Sequence, residues 1–218
     1  MSQSKISHLI FDFDGTLVDS FAVTMQKLSL LADELEFKKI NLQEIEPLKD
    51  LTSHELIRYL NIPLHKIPLL LYQGRKHMQE VIPTLPIFAN LREVLTELYE
   101  LNCKLGIVTS NSADNVNAWL ERQKIQHLFH FVHAESSFLG KDKTLKKIIK
   151  NYRMESLRTF YIGDETRDIE AAQKSRIQDL AVTWGFHSQK ALAQAKPKHM
   201  AHHPQDLLTI LKPKIEGV

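Results

Sequence analysis

Apolar positions along this chain fall into two patterns, short unbroken runs and longer stretches in which they return every three or four residues. The runs are "HLIFDF" (8–13), "KLGIVTS" (104–110), "LFHFVHA" (128–134), "TFYIG" (159–163) and "LAVTW" (180–184). Each is bounded by polar or turn residues and rich in β-branched or aromatic side chains, which predicts strands. Between them, "NLREVLTELYEL" (90–101) sets Leu91, Val94, Leu95, Leu98 and Leu101 at helical spacing. "SADNVNAWLERQ" (112–123), with Ser112 as a candidate N-cap, and "KTLKKIIKNY" (143–152) are also helical. Strand alternating with helix predicts a Rossmann-like α/β fold of three layers, a parallel sheet between helices.

One interval breaks the alternation. Residues 18–86 hold helical patterns at 20–35, 53–60 and 66–82, no clear strand, and Pro47, Pro63, Pro68, Pro83 and Pro86 as punctuation. The expected organisation is therefore an α/β core of residues 1–17 and 87–218, with an all-helical subdomain of residues 18–86 inserted after the first strand.

Composition adds mainly exclusions. The 218 residues are 43% hydrophobic and 25% charged, which suits a globular core and not disorder. A formal net charge of +2 leaves no footprint for nucleic acid or an anionic membrane, and neither partner is expected. Cys103 is the only cysteine, so no internal disulfide can form. The amino-terminal "MSQSKISHLIFDFD" reads neither as a signal peptide nor as a spanning helix. A soluble cytoplasmic protein is expected, and composition leaves its oligomeric state open.

Chemistry concentrates in four stretches, three of them at strand ends, where open α/β sheets form their sites. In "DFDGT", strand alternation turns Asp12 and Asp14 to the same side. One carboxylate can attack a phosphoryl group, and a second can protonate the leaving oxygen and then activate water. In "VTSN", Thr109 and Ser110 end a strand just before a helix start, where hydroxyls and amides suit a phosphate oxygen. In "GDETRD", Asp164 and Asp168 offer the oxygen ligands that magnesium prefers. In "FLGKDKTLKKIIK", Lys141 is the better-placed cation to neutralise nucleophile and phosphate, with Lys143 second. Taken singly, each stretch is as well explained as a turn, an N-cap or an acidic first helical turn.

Together, "FDFDGTLVDS", "GIVTSN", "GKDK" and "GDETRD" resemble, in order and spacing, the four motifs of the haloacid dehalogenase-like hydrolases. The likeness spans nearly the whole chain and is nearest to phosphoglycolate phosphatase-type members with a helical cap after the first motif. The resemblance implies a magnesium-dependent phosphatase acting on a small phosphomonoester, phosphoglycolate-like or a sugar phosphate, through an aspartyl-phosphate. It implies Asp12 as nucleophile and metal ligand, and Asp14 as general acid/base with its carbonyl on the metal. Thr109, the Ser110 amide and Lys141 would bind phosphate, Asp164 would complete the metal site, and Asp168 would support it. The dehalogenases lack a second acid at the position of Asp14. A phosphomutase or other phosphoryl transferase, and a non-catalytic binding protein that keeps the fold, are the alternatives.

Two positions depart from the family pattern: Lys141 precedes Asp142 rather than proline, and Asp50 stands where many relatives carry glycine. The insertion also carries Lys49, Arg58, Lys66, Arg75, Lys76 and His77, any of which could meet a substrate anion but which mostly suit solvated helix faces. "PKHMAHHP" (197–204), with His199, His202 and His203, reads as a surface loop, and Trp119 and Trp184 as packing residues.

Overall fold

The computed structural model describes residues 8–41, 43, 45–134 and 140–216. Phe138 and Leu139 of the lysine-bearing stretch, and the side chain of Arg75, lie outside the described residues, as do residues 1–7. Six strands form one sheet: β1 (His8–Phe11), β2 (Lys104–Thr109), β3 (Phe129–Ala134), β4 (Thr159–Gly163), β5 (Gln178–Val182) and β6 (His199–Ala201). Their order is β3-β2-β1-β4-β5-β6 and all neighbours are parallel. The chain winds outward through β2 and β3, then crosses back over β1 to wind the other way through β4, β5 and β6. The reversal makes a crevice beyond the carboxyl ends of β1, β2 and β4.

Strand β1 shows why this sheet needs cover on both faces. Leu9 and Phe11 enter one apolar cluster with Leu105, Ile107, Phe160 and Ile162, while Ile10 enters another with Val108 and Tyr161. All four β1 residues are buried, as expected of a central parallel strand. The covering helices are α4 (Leu91–Glu100), α5 (Ala113–Arg122), α6 (Lys141–Asn151), α7 (Thr166–Lys174), α8 (Gln189–Gln194) and α9 (Pro204–Glu216). Ser112 caps α5 by accepting the Asn115 amide at 3.3 Å. Gly106 on β2 leaves room for the Phe131 ring of β3, since an added Cβ would stand 2.1 Å from that ring.

Between β1 and α4 the chain forms α1 (Phe21–Leu31), α2 (Ser53–Tyr59) and α3 (Ile67–Met78), joined by short 3-10 turns. A capping box opens α2, with Thr52 and Glu55 bonding each other's amides. This insertion carries its own apolar cluster of Phe21, Met25, Ile40, Leu48, Leu60 and Ile62. Val18 pairs with Ile87 in an antiparallel bridge, so the chain leaves and re-enters the core side by side. No helix among the described residues is long and apolar enough to cross a membrane.

Several boundaries differ from the sequence reading. Strand β1 ends at Phe11, not at position 13, since Asp12 onward turns into a tight loop in which Leu17 and Val18 donate to the Phe13 carbonyl. Strand β5 covers 178–182 and excludes Trp184. Helix α6 begins at Lys141 itself, two residues before the helical stretch read from the pattern. The stretch at 197–204 is not all loop: His199 lies in β6, paired with Leu180. Three residues are too few to show an alternation, and β6 is short because it closes the sheet edge. The amides of His202 and His203 are tied to Asp206 at the start of α9.

Candidate active site

The loop after β1 brings its acids to the crevice by a turn that needs Gly15. Its φ is +73°, and an added Cβ would fall 2.2 Å from Oδ2 of Asp164. Trp184 secures the same loop by donating to the Thr16 carbonyl at 3.1 Å, while Trp119 is buried and donates to the Leu85 carbonyl.

Asp12 is buried, and its backbone amide donates to Ile162 of β4 at 2.8 Å. Oδ1 accepts the Phe13 amide at 2.8 Å, and Oδ2 accepts the Lys141 ammonium at 2.8 Å. Lys141 also donates to Oδ1 of Asp168 at 2.5 Å, so one ammonium bridges two carboxylates. Burial opposes the charge on Lys141, but Asp12 and Asp168 outweigh it and hold the ammonium above its usual range. Lys143 is exposed on α6.

Asp14 is held in one rotamer by two donors, the Ser20 hydroxyl at 3.0 Å and the Asn111 amide group at 2.8 Å. Asn111 is fixed in turn, since its Oδ1 accepts from the Ser112 amide and from Asn115 Nδ2. Desolvation raises the Asp14 carboxyl to about 6, and the charge of Asp12 adds to the rise against the two donors. A carboxyl poised there can give or take a proton near neutrality.

Thr109 is buried at the end of β2, with its hydroxyl accepting the Asn111 amide at 3.0 Å, and Ser110 lines the crevice beside it. Asp164 is fully buried at the end of β4. Its Oδ1 accepts the Thr16 hydroxyl at 2.5 Å and its Oδ2 the Phe186 amide at 2.7 Å. Burial raises its carboxyl well above the carboxylate range, and Asp168, Glu165 and Asp12 push it the same way.

The carboxylate oxygens that approach within 4.8 Å of one another belong to Asp12, Glu165 and Asp168. Glu165 was not singled out in the sequence, although it lies inside "GDETRD". It accepts from the Ser53 hydroxyl of α2 at 2.6 Å and from Arg167 Nε at 2.9 Å. Burial would raise its carboxyl, but Arg167 and His187 bring it down. All candidate donors here are oxygens, and the buried acids Asp12, Asp164, Glu165 and Asp168, with the half-buried Asp14, outnumber the cations Lys141 and Arg167. That donor set fits a hard divalent cation such as magnesium.

Asn111 and Ser20 were also not assigned roles from sequence, though each sits at the edge of a quoted motif. Their signal was only position, because an Asn after "VTS" and a Ser after "LVD" are ordinary turn residues. Among the described residues, Lys49, Arg58, Lys66, Lys76 and His77 do not line the crevice, where Lys27 and Arg167 are the cationic lining residues. Lys49 lies near Glu46 and over the Phe21 ring, and Lys66 donates to Glu36 and to the Leu35 carbonyl.

Comparison with known proteins agrees with this geometry. Residues 9–182 match the family model described as haloacid dehalogenase-like hydrolase. The chain is 32% identical over 200 residues to a phosphoglycolate phosphatase of Synechococcus elongatus, covering 92% of this chain and 94% of that protein. It is 24% identical to the pyrophosphatase PpaX of Listeria welshimeri, covering 95% and 97%. A solved structure of a haloacid dehalogenase-like family hydrolase from Streptococcus pneumoniae superposes with a TM-score of 0.77 at 22% identity, covering 94% of this chain and 98% of that one. With its parallel sheet, its acids at the strand ends and this match along most of its length, the chain belongs to the haloacid dehalogenase-like hydrolase family.

Proposed function

We propose that this chain is a magnesium-dependent phosphatase that cleaves a phosphate monoester through a phosphorylated Asp12, with residues 18–86 acting as a cap. The observation that carries the reading is the Lys141 ammonium buried between Asp12 and Asp168, beside an Asp14 oriented by Asn111 and Ser20.

Asp12 attacks phosphorus, and the bond to the ester oxygen breaks as Asp14 gives that oxygen its proton. Asp14, now a carboxylate, takes a proton from water, which attacks phosphorus and frees Asp12 and inorganic phosphate. Thr109, the Ser110 amide and Lys141 hold the phosphoryl oxygens, and Lys141 keeps Asp12 ionised and aimed. Asp12, the Asp14 carbonyl and Asp164 would hold magnesium, with Glu165 and Asp168 adjoining. Bound there, the ion supplies positive charge that offsets the phosphate and its acidic neighbours. The cap excludes bulk water while the phosphate is engaged.

The test is phosphate release from a panel of monoesters and from pyrophosphate, for the wild type and Asp12→Asn. Magnesium-dependent release lost in the variant and after chelation is expected. Full activity in Asp12→Asn, or activity after thorough chelation, overturns the mechanism. Preferential cleavage of pyrophosphate would move the substrate to phosphoanhydrides.

A further inference from the structure

The crevice does not stop at the acids. It continues into the insertion as a cavity of about 260 Å³ that opens on Asp12, Asp14, Thr109 and Ser110. Its inner walls come from all three inserted helices: Met25 and Leu31 on α1, Leu56 and Leu60 at α2, Leu70 and Met78 on α3. Water held against such walls lacks hydrogen-bond partners and is readily displaced by an apolar group. A void of this size, joined to the reacting acids, is therefore a seat for something apolar.

Charge on these walls is sparse. A substrate carboxylate or a second phosphoryl group would need a cation beyond the phosphate position. Among the described residues the cationic lining residues are Lys27, on α1, and Arg167, which is paired with Glu165. Ser53, a polar residue on the insertion wall, is likewise bonded to Glu165.

Resting on the phosphatase reading above, we propose that the substrate is the phosphate monoester of an apolar alcohol, its chain or ring seated among the inserted helices. A small doubly anionic substrate such as phosphoglycolate is then disfavoured, despite the relative of that name.

The test compares ethyl, butyl, hexyl and octyl phosphate, phosphoglycolate and pyrophosphate with the full chain and magnesium. The kcat/KM is expected to rise roughly threefold to fourfold per added methylene, as ~0.8 kcal/mol per buried CH2 implies, until the chain outgrows the cavity. A flat or falling series, or phosphoglycolate exceeding hexyl phosphate, overturns the proposal. Gly74 lines the cavity and an added Cβ there meets no atom within 4 Å, so Gly74→Leu adds bulk in a helix that tolerates it. The hexyl-to-ethyl ratio of kcat/KM should fall at least about tenfold in this variant, and an unchanged ratio in a folded variant counts against the cavity as the seat.

Calorimetric binding of ethyl and hexyl phosphate to Asp14→Asn in magnesium separates the two readings. Tighter binding of hexyl phosphate without turnover of any ester by the wild type overturns the phosphatase reading and leaves this inference standing. Equal binding of the two esters, with turnover by the wild type, overturns this inference alone. Binding of neither ester, without turnover, overturns both.

Discussion

The Lys141 ammonium lies 2.8 Å from Oδ2 of Asp12, although the two residues are 129 positions apart in the chain. The side chain of Lys141 is only 9% exposed, so this is an ion pair shielded from water and not a surface contact. Its second bond, to Asp168 in the first turn of α7, ties that helix as well as the end of β1 to the start of α6.

Lys141→Met should therefore lower kcat/KM by about a thousandfold, since a buried charge aimed at the reacting group is lost. It should also cost roughly 3 kcal/mol of stability at neutral pH by leaving buried acids uncompensated. Burial already raises the Asp168 carboxyl, and losing Lys141 raises it further. A group whose folded pKa is raised favours the folded state only while protonated, so the melting deficit should be larger at pH 8 than at pH 5.5. Lys143→Ala, on an exposed position, should leave both activity and melting near wild type. Equal losses from the two substitutions would refute the assignment.

Asp14→Asn should separate activity from stability. The Asp14 carboxyl is raised to about 6 in the fold, first by desolvation, against an ordinary value near 4. Its folded state thus binds the proton more tightly, and the contribution present at acid pH is lost as pH rises through 6. The charged form costs about 2 kcal/mol at pH 8, allowing for contact with the open crevice. In chelator, Asp14→Asn should melt higher than wild type at pH 8 and nearly equal to it at pH 4, while releasing almost no phosphate. An asparagine can still accept from Asn111 and bond Ser20, so a lower melting point at pH 8 would show that the charge is not what costs stability.

Magnesium should stabilise the folded chain by relieving the crowded acids, because a ligand that binds only the folded state raises its stability by mass action. At about a hundred times its dissociation constant the gain is roughly 2.7 kcal/mol. Asp12→Asn should lose most of that gain in a melting curve, and an undiminished shift would place the ion elsewhere.

Asp50 ties the insertion to the core. It accepts from the Ser188 hydroxyl at 2.5 Å and from Lys190 at 2.9 Å, and the Ser188 amide donates to the Lys49 carbonyl at 2.8 Å. Ser53 to Glu165 is a second tie nearby. Asp50→Gly should raise KM severalfold with a smaller change in kcat, because the insertion would spend less time over the acids. Melting should hardly move, since exposed ion pairs contribute little. Faster amide exchange in α2 would accompany the KM change, and an unaltered KM would make the tie merely structural.

Local pattern was enough for the sheet-and-helix alternation and the strand ends on which the motifs sit. Burial writes period two or three-and-a-half directly into neighbouring residues, so no distant partner is needed to read it. The short motifs were legible for a similar reason, since Gly15 and the acids around it must lie together in the chain to make one turn. Strand β6 escaped because three residues at a sheet edge carry no period.

Only the tertiary structure decided which side chains meet. Sequence ranked Lys141 ahead of Lys143, but the contact of Lys141 with Asp12 depends on where α6 begins and which face it turns to β1. Asn111 reaches Asp14 because the neighbouring strands β2 and β1 bring together residues 97 positions apart, whereas Ser20 reaches it from only six residues along the same loop. Glu165 joins the acids, and Ser53 joins Glu165, by the same closure. The apolar cavity is likewise invisible in sequence, where its leucines look like those of any core. Periodicity tells that a side chain is buried, but its partners are set by how helices and strands pack across long separations in the chain.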